Sequence, residues 1–420
     1  MSHSPVWHPF TQHALADAPP LIARGEGAWL ETGTGARILD AISSWWVVTH
    51  GHRHPRIVAA IKAQIDALDQ VIFAGYTHQP AEDLARALIG IAPRSGTRDL
   101  AHVFYSDSGS TSVEVALKMA LGFWRNRGKD RTRIIALEHA YHGDTIGTMS
   151  AGARGVFNAP YEPLLFDVDR LPFPAPGREQ ETLAALDVLA KGAAALIVEP
   201  LLLGAGGMLI YDAQLLSEMA RICARHGTLL IVDEVLTGFG RTGTLFACEQ
   251  AGIVPDILCL AKGLTGGSLP LAATLSSAEI FQAHYSTDRT RTFFHSSSFT
   301  ANPVACAAAN ANLAIWRDEP VMARIAALGA WQQERLDAFK SDSRFGNPRR
   351  LGTVAALDLK TDDPGYLAGL GPALTGFFRD RGLLLRPLGN TIYVLPPYCV
   401  TAPDLDLVYD AIAAAGREFA

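Results

Sequence analysis

The sequence lacks most of the features that would tie a chain of this size to nucleic acid, to a membrane or to the cell exterior. It has five cysteines in 420 residues (Cys223, Cys248, Cys259, Cys306 and Cys399), and none forms a C-x-x-C pair. An odd number, with two in apolar runs, suits buried thiols in a reducing cytoplasm rather than a disulfide framework. There is no basic stripe or tail and the net charge is −6, which argues against nucleic acid as a partner. The start, Met1 to His8, has neither the basic residues nor the apolar stretch of a secretory leader. The longest apolar window, Ala193 to Tyr211, is broken by Glu199-Pro200 and by Gly204, Gly206 and Gly207, so it predicts strand, loop, strand and not a membrane span. No Walker sequence G-K-[ST] occurs. Gly238-Phe239-Gly240-Arg241-Thr242-Gly243 is formally G-x-G-x-x-G, but it neither follows a strand directly nor opens a long helix. Both nucleotide-binding readings fail on that context.

What is present is a large apolar fraction, 49% hydrophobic against 19% charged, enough for two or three lobes of about 100–200 residues each. Strand-like runs at 103–105, 133–137, 195–198, 229–232, 257–260 and 271–275 alternate with helical patterns at 111–124 and 215–226. This alternation predicts an α/β fold with a mostly parallel sheet covered by helices on both faces. After Asn302-Pro303 the texture changes. Two helical stretches (304–316 and 321–339), shorter strands (352–359 and 391–395) and a last helix (404–418) predict a smaller α+β lobe. The expected division is an N-terminal segment 1–50 packing with the small lobe, a large domain 51–303 and a small domain 304–420.

Two apolar runs end in opposite charges: Leu229 to Val232 in Asp233, and Ile257 to Leu260, through Ala261, in Lys262. A charge at the end of a buried strand is costly unless something pairs with it, so both ends are expected to face one ligand. A pyridoxal phosphate site needs this combination, a lysine for the Schiff base and a carboxylate for the ring nitrogen. Ser106-Asp107-Ser108-Gly109-Ser110-Thr111 joins a strand to an amphipathic helix. It offers either a phosphate cradle or a plain capped helix start, with Thr111 and Glu114 at capping-box spacing. Tyr141, His142 and Asp144 follow a strand of the same sheet, where α/β proteins bind ligands, and Tyr141 offers a ring to stack on a flat cofactor. Trp45 and Trp46, read as adjacent residues of an extended segment, face opposite ways, one for packing and one for a pocket. Arg386 precedes a strand and offers a guanidinium to a carboxylate. Glu199 and Arg241 are expected to pair at the cofactor edge.

The run Asp233-Glu234-Val235-x-Thr237-Gly238-Phe239-Gly240-Arg241-Thr242-Gly243, with Lys262 downstream, resembles the class III pyridoxal-phosphate-dependent aminotransferases of fold type I. Trp7-His8-Pro9-Phe10, Trp45-Trp46, Asp107 to Ser110, Tyr141 to Asp144, Arg386 to Gly389 and Leu395 to Tyr398 extend the resemblance along the chain. Within the class it is most similar to the branch that converts 8-amino-7-oxononanoate to 7,8-diaminononanoate in biotin synthesis. The resemblance implies Lys262 as Schiff-base lysine and proton shuttle, Asp233 as partner of the pyridine nitrogen, Gly109 and Ser110 on the phosphate, and Tyr141, with His142 beside it, against the ring. It also implies Trp45, with Trp46, lining the oxo-acid pocket and Arg386 binding its carboxylate. A homodimer with shared sites is implied, the neighbouring chain's Ser296, Ser297 and Ser298 reaching the phosphate. Two positions depart from the branch: Phe10 stands where a tyrosine is common, and Ser296-Ser297-Ser298 where Gly-Pro-Thr is common. They leave the amino donor open between S-adenosyl-L-methionine and lysine. The expectation falls on the former, because an aromatic wall attracts a sulfonium without needing a hydroxyl. The rivals are another class III enzyme acting on ω-amino acids and a cofactor-binding protein without turnover.

Overall fold

The computed structural model describes residues 4–96 and 98–420. At its centre is a seven-stranded sheet of β1 (Leu100–Ser106), β2 (Ile134–Leu137), β3 (Asp169–Leu171), β4 (Ala195–Val198), β5 (Leu229–Asp233), β6 (Ile257–Leu260) and β7 (Ala272–Ser277). The spatial order is β1-β7-β6-β5-β4-β2-β3. Neighbours from β6 through β3 pair in parallel. Strand β7 runs antiparallel to both β6 and β1. The apolar runs carry no direction, but the length of the link does. Ala261–Leu271 is too short for the crossover that a parallel return requires, so the chain turns back on itself after Lys262.

Side chains alternate across this sheet with period two. Leu230, Val232, Leu258, Leu260, Leu196 and Val198 enter one core, while Ile231, Ile257, Cys259, Ala195 and Ile197 enter another on the opposite face. Burial on both sides explains why the strands read as unbroken hydrophobic runs. Helix α1 (Gly109–Asn126) covers the second face with Val113, Ala116, Met119, Ala120 and Phe123. Among the described residues, no helix is long and apolar enough to cross a membrane.

A further core joins the two ends of the chain. Leu39, Ala41 and Trp46 pack with Leu357, Ile392, Val394 and Leu395. The strands Ile22–Glu26, Trp29–Thr32 and Arg37–Asp40 form a small sheet, whose last strand pairs in parallel with Leu383–Leu384. A second small sheet holds Phe345–Leu351, Val354–Leu359 and Thr391–Val394. Helix α2 (Pro303–Asp318) gives Ala305, Cys306 and Ala309 to the first core and Ala308 and Ile315 to this one, and it packs on helices Pro55–Ala67 and Gln79–Ile91.

At Gly352 the C-terminal region meets the glycine-rich loop after β5. Its φ is +57°, and a Cβ there would lie 2.2 Å from the Thr242 carbonyl carbon and 2.4 Å from Arg241 O. Gly352→Ala is therefore expected to destabilise the protein by about 2 kcal/mol or more, since strain and overlap act together. Thermal melting measures this, and an unchanged midpoint would show that the loop yields freely.

Candidate active site

The carboxyl ends of β4, β5 and β6 lie side by side and bring Glu199, Asp233 and Lys262 into one region. Asp233 stands opposite Cys259 in the β5–β6 register, and Lys262 follows three residues later. Each charge is accommodated differently. Asp233 is buried; its Oδ2 accepts from His142 Nδ1 at 2.7 Å and its Oδ1 from the Val235 N–H at 3.1 Å. A carboxylate without a proton only accepts, so the proton of this bond sits on Nδ1. The other ring nitrogen, His142 Nε2, is buried without a partner among the described residues.

Glu199 accepts from the Tyr141 N–H at 2.9 Å and the Gly204 N–H at 3.0 Å. Burial pushes its carboxyl up to about 7, with Asp233 adding to the rise and His142 and the two N–H groups opposing it. The expected Glu199–Arg241 pair does not form. The arginine reaches three backbone carbonyls instead, so both groups meet their partners on the main chain.

Lys262 begins a short 3₁₀ turn (Lys262–Thr265) and has φ 45°, a left-handed conformation unusual for a residue with a side chain. Asn312 on α2 holds that turn from behind, donating from Nδ2 to Gly263 O and Leu264 O, each at 3.0 Å. The residue is half-buried, and its amine lies 4.7 Å from the Trp46 ring centroid. Burial pushes the amine down to about 8 from the ordinary 10.5; Asp233 and Glu199 pull it up and Arg241 pushes it further down. No carboxylate lies within ion-pair distance of it among the described residues.

The turn before α1 is a capped helix start, but the box differs from the expected one. Ser108 is the cap and Thr111 its reciprocal partner. Glu114 instead binds the next loop, accepting from Thr145 Oγ1 at 2.6 Å and Gly147 N–H at 2.9 Å. The first N–H groups of α1, those of Gly109 and Ser110, have no carbonyl within the helix to bind. Ser110 Oγ accepts from the Asp144 N–H at 3.2 Å, and Gly143 (φ +134°) makes that approach feasible, since a Cβ would fall 2.1 Å from Ser110 Oγ. Tyr141 is half-buried on the same loop, its phenol pushed up by burial first and by Asp144 next.

The two tryptophans do diverge, although not on an extended strand. Ser43–Trp46 is a tight turn with φ of 54° at Ser43, 58° at Ser44 and 66° at Trp46. Trp46 is buried, donating from Nε1 to Tyr393 Oη at 3.1 Å. Trp45 is exposed and lies 5.6 Å from Phe10, with the Arg386 guanidinium 5.5 Å from its ring centroid. Arg386 also donates to Phe10 O at 3.1 Å. Phe157 lies 6.0 Å from Phe10 and Tyr366 4.5 Å from Phe157, which extends this aromatic wall. No motif marks Phe157 or Tyr366, and only their placement reveals them. Ser297 Oγ donates to Asp107 Oδ2 at 2.6 Å, Ser298 O accepts from Gln70, and the Ser296 side chain is exposed.

The donor set fits pyridoxal phosphate. It has a half-buried amine without an ion partner, a buried carboxylate fixed by a histidine, a half-buried ring and free N–H groups at a helix start. The sequence model of the family described as aminotransferase class-III matches residues 12–415. The chain belongs to the class III aminotransferases. An adenosylmethionine-8-amino-7-oxononanoate aminotransferase of Synechococcus elongatus is 47% identical over 98% of each chain. The protein of that name from Geobacter sulfurreducens is 38% identical over 97% of this chain and 94% of the relative. Among solved structures, the protein of that name from Methanocaldococcus jannaschii superposes with a TM-score of 0.93 at 33% identity, covering 99% of this chain and 97% of the other. An amine transaminase from an uncultivated Pseudomonas species, in its pyridoxal-phosphate-bound form, gives 0.93 at 34% identity with all of both chains covered. Like these class III relatives, the chain has the α/β architecture of fold type I and uses pyridoxal phosphate.

The lowered amine makes a direct prediction. In cofactor-free protein the neutral fraction of Lys262 grows as pH rises through about 8, whereas ordinary lysines stay protonated to about 10.4. Labelling with a small amine-reactive reagent, read by peptide mass spectrometry across pH, is expected to give a midpoint near 8 at Lys262 alone. A midpoint near that of the surface lysines would show that the amine is solvated.

Proposed function

We propose that this aminotransferase converts 8-amino-7-oxononanoate to 7,8-diaminononanoate with S-adenosyl-L-methionine as amino donor. The observation that carries the reading is the Asp233–Lys262 arrangement at adjacent strand ends, in a chain whose full-length relatives bear that activity in their names. In this reading Lys262 holds the cofactor, Asp233 keeps its ring nitrogen protonated, and Gly109 and Ser110 bind its phosphate. Tyr141 covers the ring, with His142 fixing Asp233 from behind. Bound there, pyridoxal phosphate supplies the electron sink that lets a C–H bond next to an amine be broken. Lys262 Nζ, neutral in a growing fraction above pH 8, takes that proton and returns it.

Substrates enter past Phe10, Trp45 and Arg386. The guanidinium suits the oxo-acid carboxylate, and the ring faces suit a sulfonium donor. Among the described contacts of these groups there is no acidic side chain to receive the distal ammonium of lysine, which favours S-adenosyl-L-methionine. We also infer a homodimer in which a neighbouring copy's Ser296, Ser297 and Ser298 complete the phosphate site. Exposed Ile72, Tyr76, Phe294 and Phe299 supply the apolar surface such an interface needs.

Three outcomes are expected. Asp233→Asn retains cofactor but loses more than about tenfold in kcat, a change of about 1.4 kcal/mol. Arg386→Ala raises KM for the oxo-acid by roughly 10- to 150-fold, for a lost charge-assisted bond of about 1.5–3 kcal/mol. S-adenosyl-L-methionine, and not lysine, changes the visible absorption of the loaded enzyme in a single turnover. Response to lysine alone would overturn the donor, and turnover of ω-amino acids with pyruvate but not of the oxo-acid would favour the amine-transaminase relatives.

A further inference from the structure

Arg241 is 1% exposed, among the largest fully buried side chains of the protein, and none of the described ion pairs includes it. Its Nη1 donates to Pro396 O at 3.1 Å. Its Nη2 donates to Val48 O at 2.8 Å and Trp46 O at 3.3 Å, and its guanidinium carbon lies 5.0 Å from the Tyr398 ring centroid. A buried cation held by carbonyls and one aromatic ring, with no anion beside it, is a poor source of stability, because an apolar side chain of similar volume avoids the desolvation cost. What the arrangement supplies is location.

The three carbonyls belong to segments far apart in the chain, the 46–48 turn and the 396–398 turn. The clamp itself is anchored, since Arg241 O accepts from Thr353 N–H at 2.8 Å and Thr353 Oγ1 at 3.1 Å. Upstream of the clamped carbonyls, Ser43, Ser44 and Trp46 all have positive φ. Left-handed backbone at residues with side chains persists only where the surroundings hold it. The ring of the same Trp46 faces the Lys262 amine at 4.7 Å.

We infer that Arg241 is a positioning residue for transamination: its carbonyl clamp fixes the strained Trp46 turn and so holds the indole against the Lys262 amine. The inference rests on the aminotransferase reading of the site but not on the identity of either substrate. The charged groups that act on the amine are Asp233, Glu199 and Arg241 itself, so a charge-preserving substitution separates position from charge.

The test uses the full chain, loaded with pyridoxal phosphate for kinetics and cofactor-free for labelling. Arg241→Lys keeps the charge but not the three-way fork. It is expected to lower kcat at least tenfold with KM changed less than threefold, and to shift the labelling midpoint of Lys262 by at least one pH unit. In a Trp46→Phe background the same substitution is expected to cost less than twofold in kcat, because the two act through one contact. Equal losses in both backgrounds, or kcat within twofold of wild type, would overturn the inference. If Arg241→Lys does not fold, Trp46→Phe alone decides, since it leaves the clamped carbonyls in place. A Lys262 midpoint shifted by at least one pH unit at unchanged thermal stability supports the inference, and a wild-type midpoint leaves the arginine nothing to position. A failed substrate assignment would change only which amine and oxo-acid are turned over, not these midpoints.

Discussion

The site depends on keeping several ionisable groups in one poorly hydrated region without letting them neutralise one another. Asp233, Glu199 and Arg241 all lie close enough to act on Lys262, yet no two of the four form an ion pair among the described contacts. Asp233 is satisfied by His142, Glu199 by two backbone N–H groups, and Arg241 by three carbonyls. Lys262 has no such partner and is held instead toward its neutral form. A direct Lys262–Asp233 bridge would protonate the amine and occupy the carboxylate that a cofactor ring requires. Separation of the two is therefore as important as proximity.

The backbone around the site serves that separation. The antiparallel return of β7 forces a tight turn directly after β6, and Lys262 occupies its left-handed first residue. Asn312 grips the following two carbonyls, so a helix of the C-terminal half fixes the direction of the lysine. On the other side, Ser110 and Gly143 join the helix start to the Tyr141 loop, and Glu114 binds that loop one turn further on. The helix start at Gly109 and Ser110 and the loop that carries Tyr141 and His142 are thus bonded to each other and not independent, and His142 ties that loop to Asp233.

Much of this was legible in the sequence because buried parallel strands leave unbroken apolar runs. Six of the seven central strands, and the strand ends that carry Asp233 and Lys262, follow from those runs. The direction of β7 follows only from the length of the preceding link. The small sheet at Ile22–Asp40 was not legible, since Ile22–Glu26 is mostly exposed and carries no alternation. The Ser43–Trp46 turn departs from the extended segment that its sequence suggests, because nothing in serine or tryptophan announces positive φ. The Glu199–Arg241 pair failed for a related reason. A sequence displays charges, whereas the partners that won were main-chain groups, which every residue carries. Phe157 and Tyr366 lie in separate loops, and only the folded chain brings them to Phe10.

The central claim is that Lys262 is the one amine poised to carry the cofactor. The most direct measurement is borohydride reduction of the protein after loading with pyridoxal phosphate, followed by peptide mapping. The account predicts that the cofactor-derived mass falls on the peptide containing Lys262 and that Lys262→Ala abolishes it. A principal adduct on any other lysine would contradict it.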